Sequence, residues 1–410
     1  MKKYLLMIFL VVCTTVACGG GEPVVEGNQN SVGDGDGDHD APDAGEPDGD
    51  IDADVGNATV GDVDSGDGEP GDSDRGDSDE FFEVTCDAPQ DGWVTFDYEI
   101  GASTTSYMLV PFTSEWGGPI NPWTITTPGG GIIDFQGDNA FQLYGLEYEE
   151  THWLNPMVIP AVPQFDAQLE SGLHTLLIAS DEPEVCLYLI ETEGSPTEID
   201  FNFYLVGIDG LTSETAAGHA DFQSVLSYLD DIFEESNLSL GQIRYLDVPR
   251  EAVDSYQIIR SEWDIYDLIA YSQYPGQDRD SAISVNVFIT RQFTADIVGL
   301  SMGVPGVVGW HDTFVSGIAL TGEYIGVDEE HNQFTSVLIG HEVGHYLGLF
   351  HTSESTGEHD NLADTPECTT MNQPWDCPDA WNLMFPYIDF NTTEITADQR
   401  FVIAVNPLTK

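Results

Sequence analysis

The sequence has very few basic side chains. Its 410 residues include 10 Lys and Arg against 73 Asp and Glu, which gives a formal net charge of −63 at pH 7. Nucleic acids and anionic lipid surfaces bind proteins through clustered basic side chains, so we expect neither as a partner. Residues 19–80 hold 21 of the acids, and the other 52 make the remainder of the chain acidic as well.

Long apolar runs are absent after residue 18. The opening "MKKYLLMIFLVVCTTVAC" has two lysines, an apolar stretch and small residues before Cys18, which is the pattern of an export signal. The end "TVAC" resembles a bacterial lipobox, in which Cys18 is lipidated; cleavage to a soluble exported protein is the alternative. With no later stretch near the roughly 18 apolar residues of a membrane span, we expect membrane contact through lipid alone. Gly19 favours an outer-membrane lipoprotein facing outward, and extracellular release is the other location considered.

Cysteines are also few. Of the 6, Cys13 lies in the export signal and Cys18 is the lipidation candidate. The other four are Cys86, Cys186, Cys368 and Cys377. In an oxidising compartment four cysteines can form two disulfides, in three connectivities. We favour Cys86 with Cys186 and Cys368 with Cys377, because each pair would then lie within one predicted domain.

Three further segments follow the signal at residues 1–18. Residues 19–80, rich in Asp and Gly without hydrophobic periodicity, predict a disordered acidic tether; calcium-binding repeats are the alternative, but no complete repeat is present. Residues 81–199 contain short β-rich runs between Gly, Pro and Asp clusters, which predict an all-β sandwich accessory domain. Its aromatic residues, with His152 and Trp153 among them, either form a binding surface or belong to the core.

The last predicted domain, residues 200–410, mixes strands and helices, so the predicted fold class is α+β. Apolar residues recur at helical spacing in "HADFQSVLSYLDDIFEES", which predicts an amphipathic helix packed on a sheet. The runs "GQIRYLDV" and "AISVNVFITRQF" predict strands of that sheet. The run "SGIAL", residues 316–320, predicts a strand at its edge.

One motif carries chemistry: "LIGHEVGHYLGLFHT", residues 338–352. Residues four apart on a helix are neighbours, so His341 and His345 can reach one ion. Glu342 is placed to hold a metal-bound water, and Gly348 allows the positive φ that turns the chain and brings His351 to a third position. Three nitrogen ligands leave the fourth position open, which is the arrangement of a catalytic zinc.

Two blander interpretations of this motif are disfavoured. A chance match to five fixed positions is on the order of one in 10,000 for a chain of this length. A purely structural zinc would need a fourth Cys or His, and none is placed to close the site.

The segment "HEVGHYLGLFH" resembles the extended zinc motif of the metzincin metallopeptidases, and "WNLMFPY" resembles their Met-turn. Thr352, the segment "LADTPEC" and the last two cysteines are similar to the pappalysin-like (cytophagalysin) branch. The resemblance implies a mixed twisted sheet with an active-site helix, Met384 under the metal, and an edge strand that binds an extended peptide. It also implies three zinc ligands, His341, His345 and His351, with Glu342 as the general base.

The resemblance extends to four further residues. Tyr387 lies one position later than the tyrosine that stabilises the oxyanion in other metzincins, and it is a candidate for that role. Asp360 and Asp364 fall where relatives hold calcium, and capping of turns is the alternative. Asp389, shortly after the Met-turn, is the nearest candidate for a carboxylate that selects basic substrates.

These observations together predict a secreted or surface-anchored zinc endopeptidase that acts on a protein or peptide substrate. It would hydrolyse peptide bonds through a zinc-bound water activated by Glu342. A surface binding or adhesion lipoprotein with a vestigial zinc domain is one alternative, although an intact Glu342 argues against it. The other is a zinc hydrolase of non-peptide amides.

Overall fold

Two four-stranded antiparallel sheets make up the first part of the described chain. The computed structural model describes residues 84–113, 117–137, 153–164, 169–274, 279–294, 297–368 and 373–410. The strands of these sheets are β1 (Val84–Asp87), β2 (Trp93–Ile100), β3 (Thr104–Phe112), β4 (Asn121–Thr126), β5 (Ile132–Asp134), β6 (Met157–Ile159), β7 (Gly172–Ala179) and β8 (Val185–Glu193). One sheet has the order β1-β8-β3-β6 and the other the order β2-β7-β4-β5.

Alternation of exposed and buried side chains sets the faces of these sheets. Along β2 every second residue is buried, which is the period of a strand with one face on a core. Tyr98 of β2 and Tyr107 of β3 meet between the two sheets with ring centroids 5.9 Å apart. The Cys86–Cys186 disulfide joins β1 to β8 at directly paired positions, as predicted.

A five-stranded mixed sheet forms the second part. Its strands are β9 (Glu198–Val206), β10 (Ser239–Leu246), β12 (Val285–Thr290), β14 (Gly299–Ser301) and β15 (Ile318–Thr321), and the short pair β11 (Ile258–Ile259) and β13 (Gln292–Phe293) lies apart from it. The order is β10-β9-β12-β15-β14, with β14 antiparallel to β15 and the other pairs parallel. The described chain is thus of the predicted α+β class.

The predicted position of "SGIAL" in this sheet is wrong. Its strand, β15, lies between β12 and β14, and the edge strand on that side is β14. Strand β14 contributes only "GLS", which is too short for a period-two pattern to be visible in the sequence. The sequence pattern therefore does not predict the strand that pairs with β15 at the edge of the sheet.

The described residues of this part form six helices, and the first, third and fifth of them contact strands of the mixed sheet. The helices are α1 (Ala220–Glu234), α2 (Arg250–Tyr256), α3 (Glu262–Ile269), α4 (Arg279–Ala282), α5 (Glu329–Tyr346) and α6 (Ala397–Val405), with 3-10 turns at Ala216–Gly218 and Pro374–Asp376. Helix α1 is the amphipathic helix predicted from the sequence. The Ser336 hydroxyl of α5 donates to the Val225 carbonyl of α1 at 2.8 Å, and α5 also contacts β14 and β15.

The β-rich part contacts the α/β part directly. The buried Tyr188 hydroxyl of β8 donates to the Val308 carbonyl at 3.0 Å, and the Phe112 ring meets the Trp310 ring edge-on at 5.0 Å. Trp153 packs at 5.5 Å from Phe314, so its ring serves packing. The predicted boundaries between the domains stay predictions.

Several sequence predictions fall on other residues. Cys18, the segment 19–80 and His152 lie outside the described residues. Among the helices that are described, none combines the length and the apolar character needed to cross a membrane.

Candidate metal centre

Three histidines converge at the C-terminal end of α5. The Nε2 atom of His351 lies 3.2 Å from Nε2 of His341 and 3.1 Å from Nε2 of His345. Two nitrogens bound at about 2.0–2.1 Å to a tetrahedral zinc lie about 3.3–3.4 Å apart. The three atoms are therefore spaced as ligands of one ion.

The opposite nitrogen of each ring is held by a hydrogen-bond acceptor. His341 Nδ1 donates to the Leu383 carbonyl at 2.7 Å, and His345 Nδ1 donates to the Leu349 carbonyl at 2.8 Å. His351 Nδ1 donates to Oε1 of Glu354 at 2.5 Å. With the proton on Nδ1, each Nε2 presents a lone pair toward the common centre, which is the tautomer that a metal requires.

The end of α5 brings the third histidine to the first two. Gly348 has a φ of +106°, and its N–H donates to the His345 carbonyl while Leu349 N–H donates to the Gly344 carbonyl. This pair of bonds is a Schellman motif, in which a glycine ends the helix with a left-handed turn. The backbone then reverses toward the Met-turn, where Thr352 N–H donates to the Met384 carbonyl at 3.1 Å.

Glu342 directly follows His341 in α5, and its carboxylate is fully buried. Neither of its oxygens has a hydrogen-bond partner in the part of the chain that the structure describes. Burial raises the pKa of Glu342 to about 8. A cation held by the histidines would favour the ionised carboxylate instead. The unpaired carboxylate can therefore bind a ligand that is not part of the protein.

Burial also keeps the His341 and His345 imidazoles neutral. Loss of solvation lowers the pKa of His341 to about 3, with a further lowering from His351 and an opposing effect of the Leu383 carbonyl. The pKa of His345 is lowered well below its usual value, by burial first and then by the two neighbouring histidines. Neutral imidazoles are the form that binds metal ions, so the buried site favours metal over protons.

Met384 lies against α5 as the Met-turn resemblance implies. A Cβ atom on Gly344 would come within 2.5 Å of the Met384 sulfur, so the glycine allows this close approach. Tyr387, the candidate oxyanion donor, packs in a small cluster with Phe385 and the second predicted disulfide, Cys368–Cys377, which is formed. Its catalytic role stays a prediction.

The three candidate aspartates have different surroundings. Asp360 is buried, and its Oδ1 accepts bonds from the Thr365 hydroxyl and the Leu362 N–H, whereas its Oδ2 has no described partner. The Asp364 carboxylate accepts from the N–H of Asp398 at the start of α6. Asp389 accepts from Asn391 within its own turn.

Three residues that position this site were missed by the sequence argument. Glu354 holds His351, and Asp379 accepts 2.7 Å bonds from the hydroxyls of both Thr352 and Ser353. Gly299 of β14 lies against Glu342, because a Cβ atom there would come within 2.5 Å of Oε1. No spacing rule connects these residues to the histidine motif, so only the fold brings them together.

The donor set fits zinc. Three buried imidazoles with fixed tautomers supply ligand atoms that lie within 4.8 Å of one another. Nitrogen ligands in this number suit zinc, and they leave a position for water or substrate.

One protein-family model matches part of the chain. Residues 276–389 match the profile of the M43 peptidase family, which is described as pregnancy-associated plasma protein-A. This stretch contains β12, β14, β15, α5 and the Met-turn. No curated protein matches the chain.

Two solved structures show weak likenesses. Metalloproteinase-II from Bacteroides fragilis is 12% identical, with 53% of this chain and 61% of that chain covered and a TM-score of 0.29. A GH26-CBM35 β-(1,4)-mannanase from Podospora anserina is 10% identical, with coverages of 51% and 47% and a TM-score of 0.15. The chain thus spans about three fifths of the length of the metalloproteinase that it matches.

The family match confirms the predicted resemblance to metzincin-type metallopeptidases. It supports a zinc peptidase in general, because the matched segment contains all three histidines and Glu342.

Proposed function

We propose that this metzincin-type metallopeptidase is an exported zinc endopeptidase that cleaves protein or peptide substrates at the centre formed by His341, His345 and His351. The observation that carries the proposal is the buried carboxylate of Glu342, which has no described partner and directly follows His341, one of the three converging histidines, in α5. An unpaired buried carboxylate costs stability, so its retention favours a catalytic role.

The residues of the site divide the reaction among them. Zinc held by the three imidazoles supplies a Lewis acid, which lowers the pKa of a water and polarises the scissile carbonyl. Glu342 accepts the proton of the attacking water on its free oxygen and returns it to the leaving amine. The Leu383 and Leu349 carbonyls and Glu354 keep the imidazoles oriented during this transfer.

Strand β14 supports a peptide substrate over a small amide. The bonds from Thr321 N–H to the Val298 carbonyl and from Met302 N–H to the Gly317 carbonyl set its pairing with β15. In an antiparallel pair bonded at these positions, the backbone groups of Gly299 and Ser301 point away from β15. An extended peptide that adds to this edge passes Glu342, because Gly299 touches its carboxylate.

The location of the protein rests on the sequence. The lipobox-like "TVAC" supports lipid attachment at Cys18 and an outward-facing position on the outer membrane. An exported protein enters an oxidising environment in which disulfides form. The described residues contain two disulfides, Cys86–Cys186 and Cys368–Cys377.

The test is cleavage of a peptide library by the zinc-loaded full chain, with products identified by mass spectrometry. Glu342→Gln keeps the shape of the side chain but cannot accept a proton, so we expect kcat/KM to fall by roughly 10²–10⁴-fold with the zinc content unchanged. Glu330→Gln is the matched control, because Glu330 is exposed near the start of the same helix. Its activity should equal that of the parent.

Three results would contradict the proposal. Equal cleavage by Glu342→Gln would remove Glu342 from the reaction. A parent that binds zinc and cleaves small amides but no peptide would favour the non-peptide hydrolase, and one that cleaves neither would favour the binding lipoprotein.

A further inference from the structure

The three metal-binding rings are not anchored alike. His341 and His345 belong to α5, and each donates to a backbone carbonyl that the fold fixes. His351 follows the end of the helix, and its Nδ1 donates to a side chain, the Glu354 carboxylate. The third ring therefore depends on a residue that can be substituted without a change of backbone.

Glu354 is presented from a closed turn. Its N–H donates to the Glu358 carbonyl at 2.8 Å, and its own carbonyl accepts from Gly357 N–H at 2.9 Å. A bridge between Ser353 and His359 closes the same turn on its outer side. The carboxylate thus reaches His351 from a fixed main chain, although its own side chain is 39% exposed while that of His351 is 5% exposed.

A carboxylate acts on a ligand imidazole differently from a carbonyl. It fixes the Nδ1–H tautomer and the ring orientation as a carbonyl does, and its negative charge also makes Nε2 a stronger donor to the metal. It contributes attraction for a divalent cation across the ring as well, and solvent weakens this attraction only in part at a half-exposed site. Glu354 is the only such carboxylate among the Nδ1 partners of the three described rings.

We propose that Glu354 is the positioning residue of this centre, and that its contact with His351 sets the affinity for zinc. This inference rests on the proposed zinc site and concerns metal retention, whereas the peptidase proposal concerns Glu342. Loss of a hydrogen-bond partner of this kind typically weakens metal binding by about 10–100-fold.

The experiment measures the zinc dissociation constant of the full chain by competition with a chromophoric chelator. We expect Glu354→Gln, which keeps an oxygen acceptor but loses the charge, to raise the constant about 10-fold, and Glu354→Ala to raise it up to about 100-fold. Glu358→Gln is the control, because this exposed acid four residues on contacts Thr356 and not a histidine. Its affinity should match that of the parent.

A spectroscopic readout separates positioning from general loosening. The visible absorption spectrum of the cobalt-loaded protein should be altered in Glu354→Ala and unaltered in Glu358→Gln. The metal-free variants should have the same melting temperature as the metal-free parent.

The outcomes separate the role of Glu354 from the peptidase proposal. Zinc affinity within about twofold of the parent in both Glu354 variants overturns the role of Glu354, and it leaves the peptidase proposal standing if peptides are cleaved. A parent that binds zinc, loses affinity on substitution of Glu354 and cleaves no peptide supports this inference while the peptidase proposal fails. A parent that binds no zinc overturns both.

Discussion

Three carboxyl groups in the described α/β part, those of Glu342, Asp360 and Asp379, are buried with an oxygen that lacks a described partner, and the first two differ in what surrounds them. Glu342 directly follows His341, one of the three imidazoles that can hold a cation. Asp360 lies near other acids: burial raises its pKa to about 7, bonds from Thr365 and Leu362 oppose this rise, and Asp364 and Asp379 add to it. Asp360 is therefore protonated in the metal-free protein below neutral pH. Its ionisation at higher pH changes the free energy of unfolding.

The pH dependence of stability should report Asp360. Its pKa is about 7 in the folded chain and 3.8 for an aspartate side chain free in water, so its stabilising contribution is complete below pH 3.8 and is lost as the pH rises to 7. The loss amounts to about 4 kcal/mol at most. Asp360→Asn keeps the Oδ1 acceptor and cannot ionise, so its free energy of unfolding should decrease less between pH 5 and pH 8.

Chemical denaturation of both proteins at several pH values checks this expectation, because other titrating groups cancel in the difference. Parallel stability curves would contradict it. The same samples test the predicted calcium site. If calcium bound Asp360, it would keep the carboxylate ionised, and calcium would stabilise the parent at pH 8 but not Asp360→Asn.

At the scale of elements, α5 and β14 are coupled through one glycine. A methyl group at Gly299 would lie 2.5 Å from Oε1 and 2.9 Å from Cδ of Glu342, which is closer than real contacts allow. Either the carboxylate or the strand must then shift. A displacement of about 1 Å can cost on the order of 10²-fold in rate.

We therefore expect Gly299→Ala to lower kcat/KM on the order of 10²-fold, with zinc content retained because the three atoms nearest the added methyl group all belong to Glu342. Gly218→Ala is the control, since a Cβ atom there meets nothing within 4 Å and the backbone is not left-handed. Steady-state kinetics on one cleaved peptide suffices. Full activity in Gly299→Ala would show that β14 shifts to accommodate the methyl group while the Glu342 carboxylate keeps its position.

The same two elements show what the sequence could predict. The spacing of His341, Glu342, His345 and Gly348 predicts the helix, its end and the convergence of the ligands, since all of this is local geometry. The edge strand was assigned to the wrong segment, because strand order depends on pairing between distant segments and β14 is too short to carry a pattern. Asp379 was missed for the same reason, because its partners Thr352 and Ser353 are distant in sequence, whereas Glu354 was missed because its contact with His351 depends on the conformation of a turn.

At the scale of the whole molecule, the two described parts share an interface. The Tyr188 hydroxyl finds its acceptor on the other part, and Phe112 of β3 is buried against Trp310. Helix α6 adds to this connection, because it contacts β3 of the β-rich part. A buried hydrogen bond and an aromatic contact thus hold the predicted accessory domain against the α/β part.

Net charge and the lipobox-like segment together lead to the last prediction. With 73 acids and 10 bases, the chain is repelled by anionic membrane surfaces, so electrostatic attraction cannot hold it there. Lipid chains on Cys18 would hold it by apolar burial, which salt does not weaken. We therefore expect the full chain to sediment with membranes and to stay there in about 1 M salt, where the Debye length is about 3 Å.

Cys18→Ala should move the protein into the soluble fraction, whereas Cys13→Ala, within the predicted signal, should leave it on the membrane. Immunoblots of the fractions measure both, and a Cys18→Ala protein that still sediments after the salt wash would rule out Cys18 as the anchor.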